Sequence, residues 1–317
     1  TAEEVKGILL GMASGQETLL GYFRRFIRNF EKRVGINRTV GSLRAYSNAY
    51  SHIERFLQAQ YKLSDIPFSA LDRSFIDKYD LYLRTERNLA PGTIINLTVQ
   101  LKTIVGEAIA DGVITASPFM GYEPVRPKHV QKYLTAEELH RIMTTPLHRQ
   151  TLYHVRDMFL FSCFTGIPYG DMRLLTKDNL CLAEDGIWWI KSARQKTKIE
   201  FEIPLLDLPL QILKKYSGTA PGDKLLPMYC NSTLNLYLKE IARICHIDRP
   251  LVFHAGRHTY ATEITLSHGV PLETVSRMLG HSQIETTQIY AKVTDEKIDT
   301  DTKALNRKIS ERFSVVI

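Results

Sequence analysis

The chain has 317 residues, 44% of them hydrophobic, enough to fill more than one core, so two domains are expected and disorder is not the default. It carries 41 Lys/Arg against 34 Asp/Glu, a formal net charge of +7, and residues 1–132 hold 18 of the basic and 13 of the acidic side chains. Such a balance favours an anionic partner, and nucleic acid fits better than a membrane because no run of about 18 apolar residues exists to span a bilayer.

The first 120 residues read as a helical bundle. Ser14-x-x-Glu17 forms a capping-box pattern ahead of Leu19, Tyr22, Phe23, Phe26 and Phe30 at helical spacing, with Arg24, Arg25, Arg28, Lys32 and Arg33 mostly on other faces. A second helix is expected over about Val40–Gln60 and a third from Ser69-x-x-Asp72 towards Arg87. A fourth opens near Pro91, whose fixed φ suits a first turn, and ends before Gly112. Residues 121–132, with Gly121, Pro124, Pro127, Arg126, Lys128 and Lys132, resist helix and strand alike and are expected to be a basic linker.

A second domain, residues 133–317, opens at Thr135-x-x-Glu138, a capping box, and continues with an apolar helix over about Thr151–Thr165. Ile187–Ile190 and the alternating Ile199-Glu200-Phe201-Glu202-Ile203-Pro204 predict a β-hairpin or three-strand meander. Helices are expected again at about 208–216, 232–245, 254–268, 271–279 and 283–291, and a tail helix over Asp295–Arg312. The fold class is therefore mainly α with a small β-sheet.

His254-Ala255-Gly256-Arg257-His258 sets a histidine and an arginine at i and i+3, able to face one anion; arginine supplies fixed donors for phosphate and histidine can move a proton. Leu279-Gly280-His281 follows, and Tyr290 comes nine residues after His281. Taken singly, a histidine at a helix start is usually a cap or core residue and a tyrosine on an amphipathic helix usually packs. His254 and His281 have no carboxylate or thiolate partners at zinc-like spacing, so no metal and no other cofactor is expected. The four scattered cysteines, Cys163, Cys181, Cys230 and Cys245, form no C-x-x-C pair, and no charged-then-apolar leader opens the chain, which points to a reducing cytoplasm.

In order and spacing, His254-x-x-Arg257, Leu279-Gly280-His281 and Tyr290 resemble the signature of the tyrosine recombinase (phage-type integrase) family. Thr93-Ile94-Ile95-Asn96 and the run Ala110-Asp111-Gly112-Val113-Ile114 to Ser117-Pro118-Phe119 look like that family's core-binding domain. The likeness covers about residues 15–295, and the wording is closest to integrases of Bacteroidetes mobile elements. The resemblance implies a SAM-like core-binding domain (1–120), a linker (121–132) and a mixed α/β catalytic domain (133–317). It also implies a site-specific recombinase that joins DNA to Tyr290 through a 3′-phosphotyrosyl link during integration or excision.

By that resemblance Tyr290 is the nucleophile, Arg257 and His281 bind non-bridging phosphate oxygens, and His254 is the general base. Lys196, in Arg194-Gln195-Lys196-Thr197, protonates the leaving 5′-oxygen. Arg44, Asn96, Gln100 and Lys102 are candidates for the DNA-facing surface of the first domain. The implied partners are double-stranded attachment sites and further copies in a tetramer on DNA, the tail helix docking on a neighbour. One element departs from the pattern: where the family carries Thr-Gly-x-Arg, this chain has Thr165-Gly166-Ile167-Pro168, and proline offers no donor. Arg194, two residues before Lys196 and on the same face if both lie in a strand, is the candidate replacement, against an ordinary DNA-backbone contact. Arg173 is the poorer candidate. The rival reading is a non-catalytic DNA-binding accessory or regulatory protein that lost cleavage with that arginine.

Overall fold

The computed structural model describes residues 17–126, 132–290, 302–303 and 305–307. The chain divides into two compact units, Thr1–His129 and Val130–Ile317.

In the first unit, helices α1 (Leu19–Glu31), α2 (Val40–Phe56), α3 (Arg73–Thr85) and α4 (Pro91–Ala110) enclose a core rich in aromatic rings. Phe23, Phe56, Phe75 and Tyr79 are buried, and the Phe56 ring meets those of Phe75 and Tyr79 at 5.3 and 5.0 Å between centroids. Each such ring, taken out of water, stabilises the bundle by roughly 1.5–3 kcal/mol. Pro91 takes the first helical position of α4, as its fixed φ dictates.

Two helix starts differ from the sequence reading. Asp72, not Ser69, caps α3, its carboxylate accepting from the Phe75 N–H at 2.8 Å. Phe68 is buried and draws residues 68–70 into a separate 3-10 turn before the helix opens. At α1, Ser14 lies outside the described residues, and Glu17 precedes the helix and pairs with Arg25 at 2.8 Å. The orphan N–H groups of Leu20 and Gly21 donate to Asp65 at 2.8 and 3.0 Å instead. A carboxylate 45 residues away does the work of a local cap, and no short pattern discloses it.

The second unit opens as its sequence requires. Thr135 and Glu138 form both bonds of a capping box at the start of α5 (Ala136–Thr144), at 3.2 and 3.0 Å. Helix α6 (Gln150–Thr165) is buried on most sides, with Met158, Phe159 and Phe161 at its heart, because other helices pack around it. It stops at Gly166, which holds a left-handed φ of 69°. After the short α7 (Tyr169–Met172), strands β1 (Leu180–Leu182), β2 (Trp188–Ala193) and β3 (Glu200–Pro204) form an antiparallel meander. The register Leu180↔Ile190 and Ile190↔Ile203 puts Ile190, Phe201 and Ile203 on the buried face. At three residues, β1 is too short to show an alternation.

Helices α8 (Asp207–Lys215), α9 (Asn231–Ile244), α10 (Ala255–Thr259), α11 (Leu272–Leu279) and α12 (Glu285–Gln288) complete the described part. The single helix expected over 254–268 is broken into α10, a π-helical turn at Tyr260–Thr265 and a 3-10 turn at Leu266–His268. The Thr265 hydroxyl contacts the carbonyls of Tyr260 and Ala261 at 3.0 and 2.8 Å, the side-chain interference with the backbone ladder that bends such helices. Of the expected tail helix, residues 302–303 and 305–307 are described and are helical, and the rest lies outside the described residues. No helix among the described residues is long and apolar enough to cross a membrane.

Candidate active site

Three chain segments of the second unit meet at the C-terminal end of α11. Gly280, at φ 64°, ends that helix, and the His281 N–H returns to the Ser276 carbonyl at 3.1 Å. The Leu279 carbonyl, left without an intrahelical partner, accepts from two guanidinium groups: Arg257 Nη2 at 2.6 Å and Arg194 Nη1 at 3.0 Å. A helix C-terminus carries partial negative charge and suits cations. Glycine is needed at both neighbouring turns. A Cβ on Gly280 would stand 2.9 Å from Arg194 Cγ, and one on Gly166 would stand 2.5 Å from the Tyr260 ring.

Arg257, on α10, also donates to the Gly166 carbonyl at 2.9 Å and lies 2.8 Å from His281 Nε2. Its partners are therefore neutral, and among the described residues no carboxylate forms an ion pair with it, although it is 3% exposed. Arg194 has a carboxylate: its Nε is 2.6 Å from Asp171 Oδ2, and Asp171 Oδ1 accepts from the Gln195 N–H at 2.9 Å. Two neighbouring guanidiniums, Arg257 buried and Arg194 half-buried, thus meet beside one carboxylate, which pairs with Arg194. Burial, then repulsion from Arg194, pulls the Arg257 pKa down to about 10. A buried cation of this kind is costly unless an anion joins it.

Tyr290 packs against this pair. Its ring stacks on that of His281 at 6.3 Å with an 8° interplanar angle and meets His258 edge-on at 5.1 Å. It sits in a small apolar cluster with Tyr260, Ala261, Val275 and Leu279. Burial raises its pKa, while Arg257, within hydrogen-bonding reach of the hydroxyl, and Arg194 act to lower it. The helix expected over 283–291 is the short α12, and Tyr290 lies in the turn beyond it, its N–H returning to the Thr287 carbonyl at 2.9 Å.

The histidines are neutral near pH 7. Burial, reinforced by Arg257 and Arg194, lowers His281 to about 4; burial, then His254, Lys132 and Arg257, lowers His258 to about 4. Partial loss of hydration, then Arg257, Arg194 and Lys132, holds His254 below its ordinary value. Because a guanidinium donates and cannot accept, His281 Nε2 here is an acceptor, whereas the role expected of it is to donate to phosphate.

The site residues read from the sequence are not all together. Arg257, His281 and Tyr290 converge, and Arg194 joins Arg257 at the Leu279 carbonyl. His254 is the residue preceding α10, its ring 4.9 Å from that of His258, so His258 stands in ring contact with both His254 and Tyr290. Lys196 sits on an exposed turn. Strand β2 ends at Ala193 and the chain turns at Arg194, where Lys198 N–H bonds to the Arg194 carbonyl at 2.8 Å, so the strand argument for a shared face with Lys196 does not hold. Arg194 reaches the site because Asp171 holds the base of the turn. Pro168 precedes α7, and Arg173 is exposed with its guanidinium 6.0 Å from the Tyr169 ring centroid.

In the first unit, Arg44 on α2 and Asn96 on α4 are exposed. Gln100 shares the Asn96 side of α4, but its side-chain oxygen is buried without a partner. Lys102 donates to the Tyr122 carbonyl at 3.2 Å, a structural contact. Among the described residues no group of three or more His, Cys, Asp or Glu is placed to hold a metal. Asp171, His258 and Thr287 were not singled out from the sequence. The acid three residues after Pro168 and the second histidine of the His254–His258 segment were the available signals.

The architecture is one already seen around DNA. The Tn1549 transposon integrase in complex with transposon right end DNA superposes with a TM-score of 0.69 at 19% identity, covering 91% of this chain and 99% of that one. A lambda integrase dimer bound to a COC′ core site gives 0.70 at 18%, covering 87% and 96%. At these identities the likeness is one of fold.

Residues 132–297 match the phage integrase family and residues 18–124 the phage integrase SAM-like domain; the chain belongs to the phage integrase family. Among curated relatives, tyrosine recombinase XerD of Listeria monocytogenes is 25% identical over 273 residues, covering 81% of this chain and 89% of the relative. XerD of Staphylococcus saprophyticus is 26% identical over 297 residues, covering 89% and 96%. At the level of the family, the activity is site-specific recombination.

Proposed function

We propose that this protein is a site-specific recombinase of a mobile element, of the kind carried by Bacteroidetes, that cuts and rejoins attachment-site DNA through a 3′-phosphotyrosyl intermediate. The observation that carries the reading is the pair of guanidiniums beside Tyr290, Arg257 buried and Arg194 half-buried, with one carboxylate, Asp171, paired to Arg194. Such a site has a positive charge to spare for a phosphate, and it is preorganised where the pentacoordinate transition state gains negative charge.

In the reaction, the Tyr290 oxygen bonds to phosphorus as the bond to the 5′-oxygen breaks. The tyrosine proton passes to His254 by way of the His258 ring, which contacts both, and Lys196 supplies a proton to the leaving oxygen. Arg257 and Arg194 hold the non-bridging oxygens, Arg194 supplying the donor that Pro168 lacks. His281 joins them once Arg257 releases its ring nitrogen. Arg44, Asn96, Gln100 and Lys102 are proposed to face DNA, Arg44 and Asn96 with the better support from their exposure. Four copies acting on two sites is the proposed assembly, by analogy with the lambda integrase tetramer bound to a Holliday junction.

The test is a nicked suicide substrate carrying the attachment site. The protein is expected to form a covalent protein–DNA adduct that Tyr290→Phe abolishes. Site-specific binding with no adduct from the unaltered chain would instead establish a DNA-binding accessory protein.

A further inference from the structure

Thr287 has no solvent exposure, yet its side chain is polar. Its hydroxyl lies 2.7 Å from Nδ1 of His281, and the other ring nitrogen, Nε2, lies 2.8 Å from Arg257 Nη2. Since the guanidinium can only donate, Nε2 carries its lone pair and the ring proton sits on Nδ1, donated to Thr287. The neighbouring Thr286 is exposed, so the pair Thr286-Thr287 divides into one residue facing water and one facing the site.

We propose that Thr287 is a positioning residue that holds the ring orientation of His281 and, together with Arg257, its tautomer. Its importance for cleavage rests on the recombinase reading; the tautomer does not. The ring it holds is the one stacked on Tyr290 with an 8° interplanar angle, so the hydrogen bond also keeps that stacking in place. A hydroxyl is suited to the task because it both accepts and donates. When a phosphate draws the Arg257 donor away, Nε2 takes up a proton from solvent while Nδ1–H stays donated to the Thr287 hydroxyl. The Nε2–H of the resulting imidazolium then faces a phosphate oxygen, with the ring kept in place. The structure thereby reconciles an acceptor nitrogen without DNA with a donor nitrogen on DNA.

Two measurements on the full chain test this. In DNA-free protein near neutral pH, nitrogen-15 correlation spectra of the histidine rings are expected to show His281 protonated at Nδ1 and bare at Nε2. Thr287→Val, which removes the acceptor of Nδ1–H, should shift and broaden the His281 ring signals as the ring loses its fixed orientation, and Thr287→Ser should keep the wild-type spectrum. On the nicked substrate, Thr287→Val should form adduct about tenfold more slowly and Thr287→Ser within about twofold of wild type. Thr287→Val added to His281→Ala should cost little more, as the two act through one ring. An Nε2–H tautomer in the unaltered DNA-free protein, unshifted His281 ring signals in Thr287→Val, or a full adduct rate in that variant would overturn the proposal. If Thr287→Val does not fold, the wild-type tautomer and the Thr287→Ser rate decide. A wild-type chain that binds its site without forming adduct sinks the recombinase reading, and the spectra still judge the tautomer.

Discussion

Replacing Arg194 by alanine tests the most unusual feature of the site. The phosphate-facing arginine of the family pattern is absent at Pro168, and Arg194 is the second guanidinium at the Leu279 carbonyl. If it supplies the missing donor, its loss removes about 3 kcal/mol of transition-state stabilisation, roughly a hundredfold in cleavage rate. The effect on folding should be smaller than the ~3–5 kcal/mol typical of breaking a buried ion pair. Asp171 keeps the Gln195 N–H, and removing one guanidinium relieves its repulsion of Arg257. Single-turnover adduct formation with excess protein isolates the chemical step, and site affinity is measured alongside it. Arg194→Lys should fall between wild type and alanine, because lysine keeps charge but not the planar fork. An Arg194→Ala protein that binds its site normally and forms adduct at the wild-type rate would refute the reasoning and leave Arg194 as a brace for the hairpin turn.

Two further outcomes follow from the same geometry. The folded-state pKa values of His281 and His258, about 4, lie below the ordinary value of 6.5. As pH falls from 7 towards 4 the unfolded chain takes up protons that the folded chain refuses, so stability is fully present above pH 6.5 and declines through that window. Thermal melts over the range should show the decline, and His258→Gln should flatten it; a melting temperature independent of pH would show that these rings are not held neutral. Gly256→Ala should lower the melting temperature even though alanine favours helices. Its Cβ would stand 2.8 Å from Ser162 Oγ and 3.0 Å from Ser162 Cβ where α10 crosses α6, an overpacking penalty of about 1–3 kcal/mol against a gain of about 1. A raised melting temperature would show that the crossing can open.

The sequence by itself determined most of the helices, the small sheet and an ordered set of candidate site residues. Pro91, Asp72 and the Thr135/Glu138 pair are local devices, readable because a helix end is satisfied by atoms within a few residues. The alternation at 199–204 announced a strand for the same reason, and His254, Arg257, His281 and Tyr290 were visible as an ordered set. Contacts between residues far apart in the chain were decided by tertiary structure. Asp65 caps α1 from 45 residues away, and Arg194 meets Arg257 at a carbonyl 85 residues further along. Beyond α10 the chain winds into a π-helical turn whose Tyr260 and Ala261 carbonyls take the Thr265 hydroxyl, and His281 receives its tautomer from Arg257 and Thr287 together. Local spacing records which groups a segment can offer; only packing brings two guanidiniums to one carbonyl, with a carboxylate paired to Arg194 and, among the described residues, none paired to Arg257. That convergence leaves the site one negative charge short.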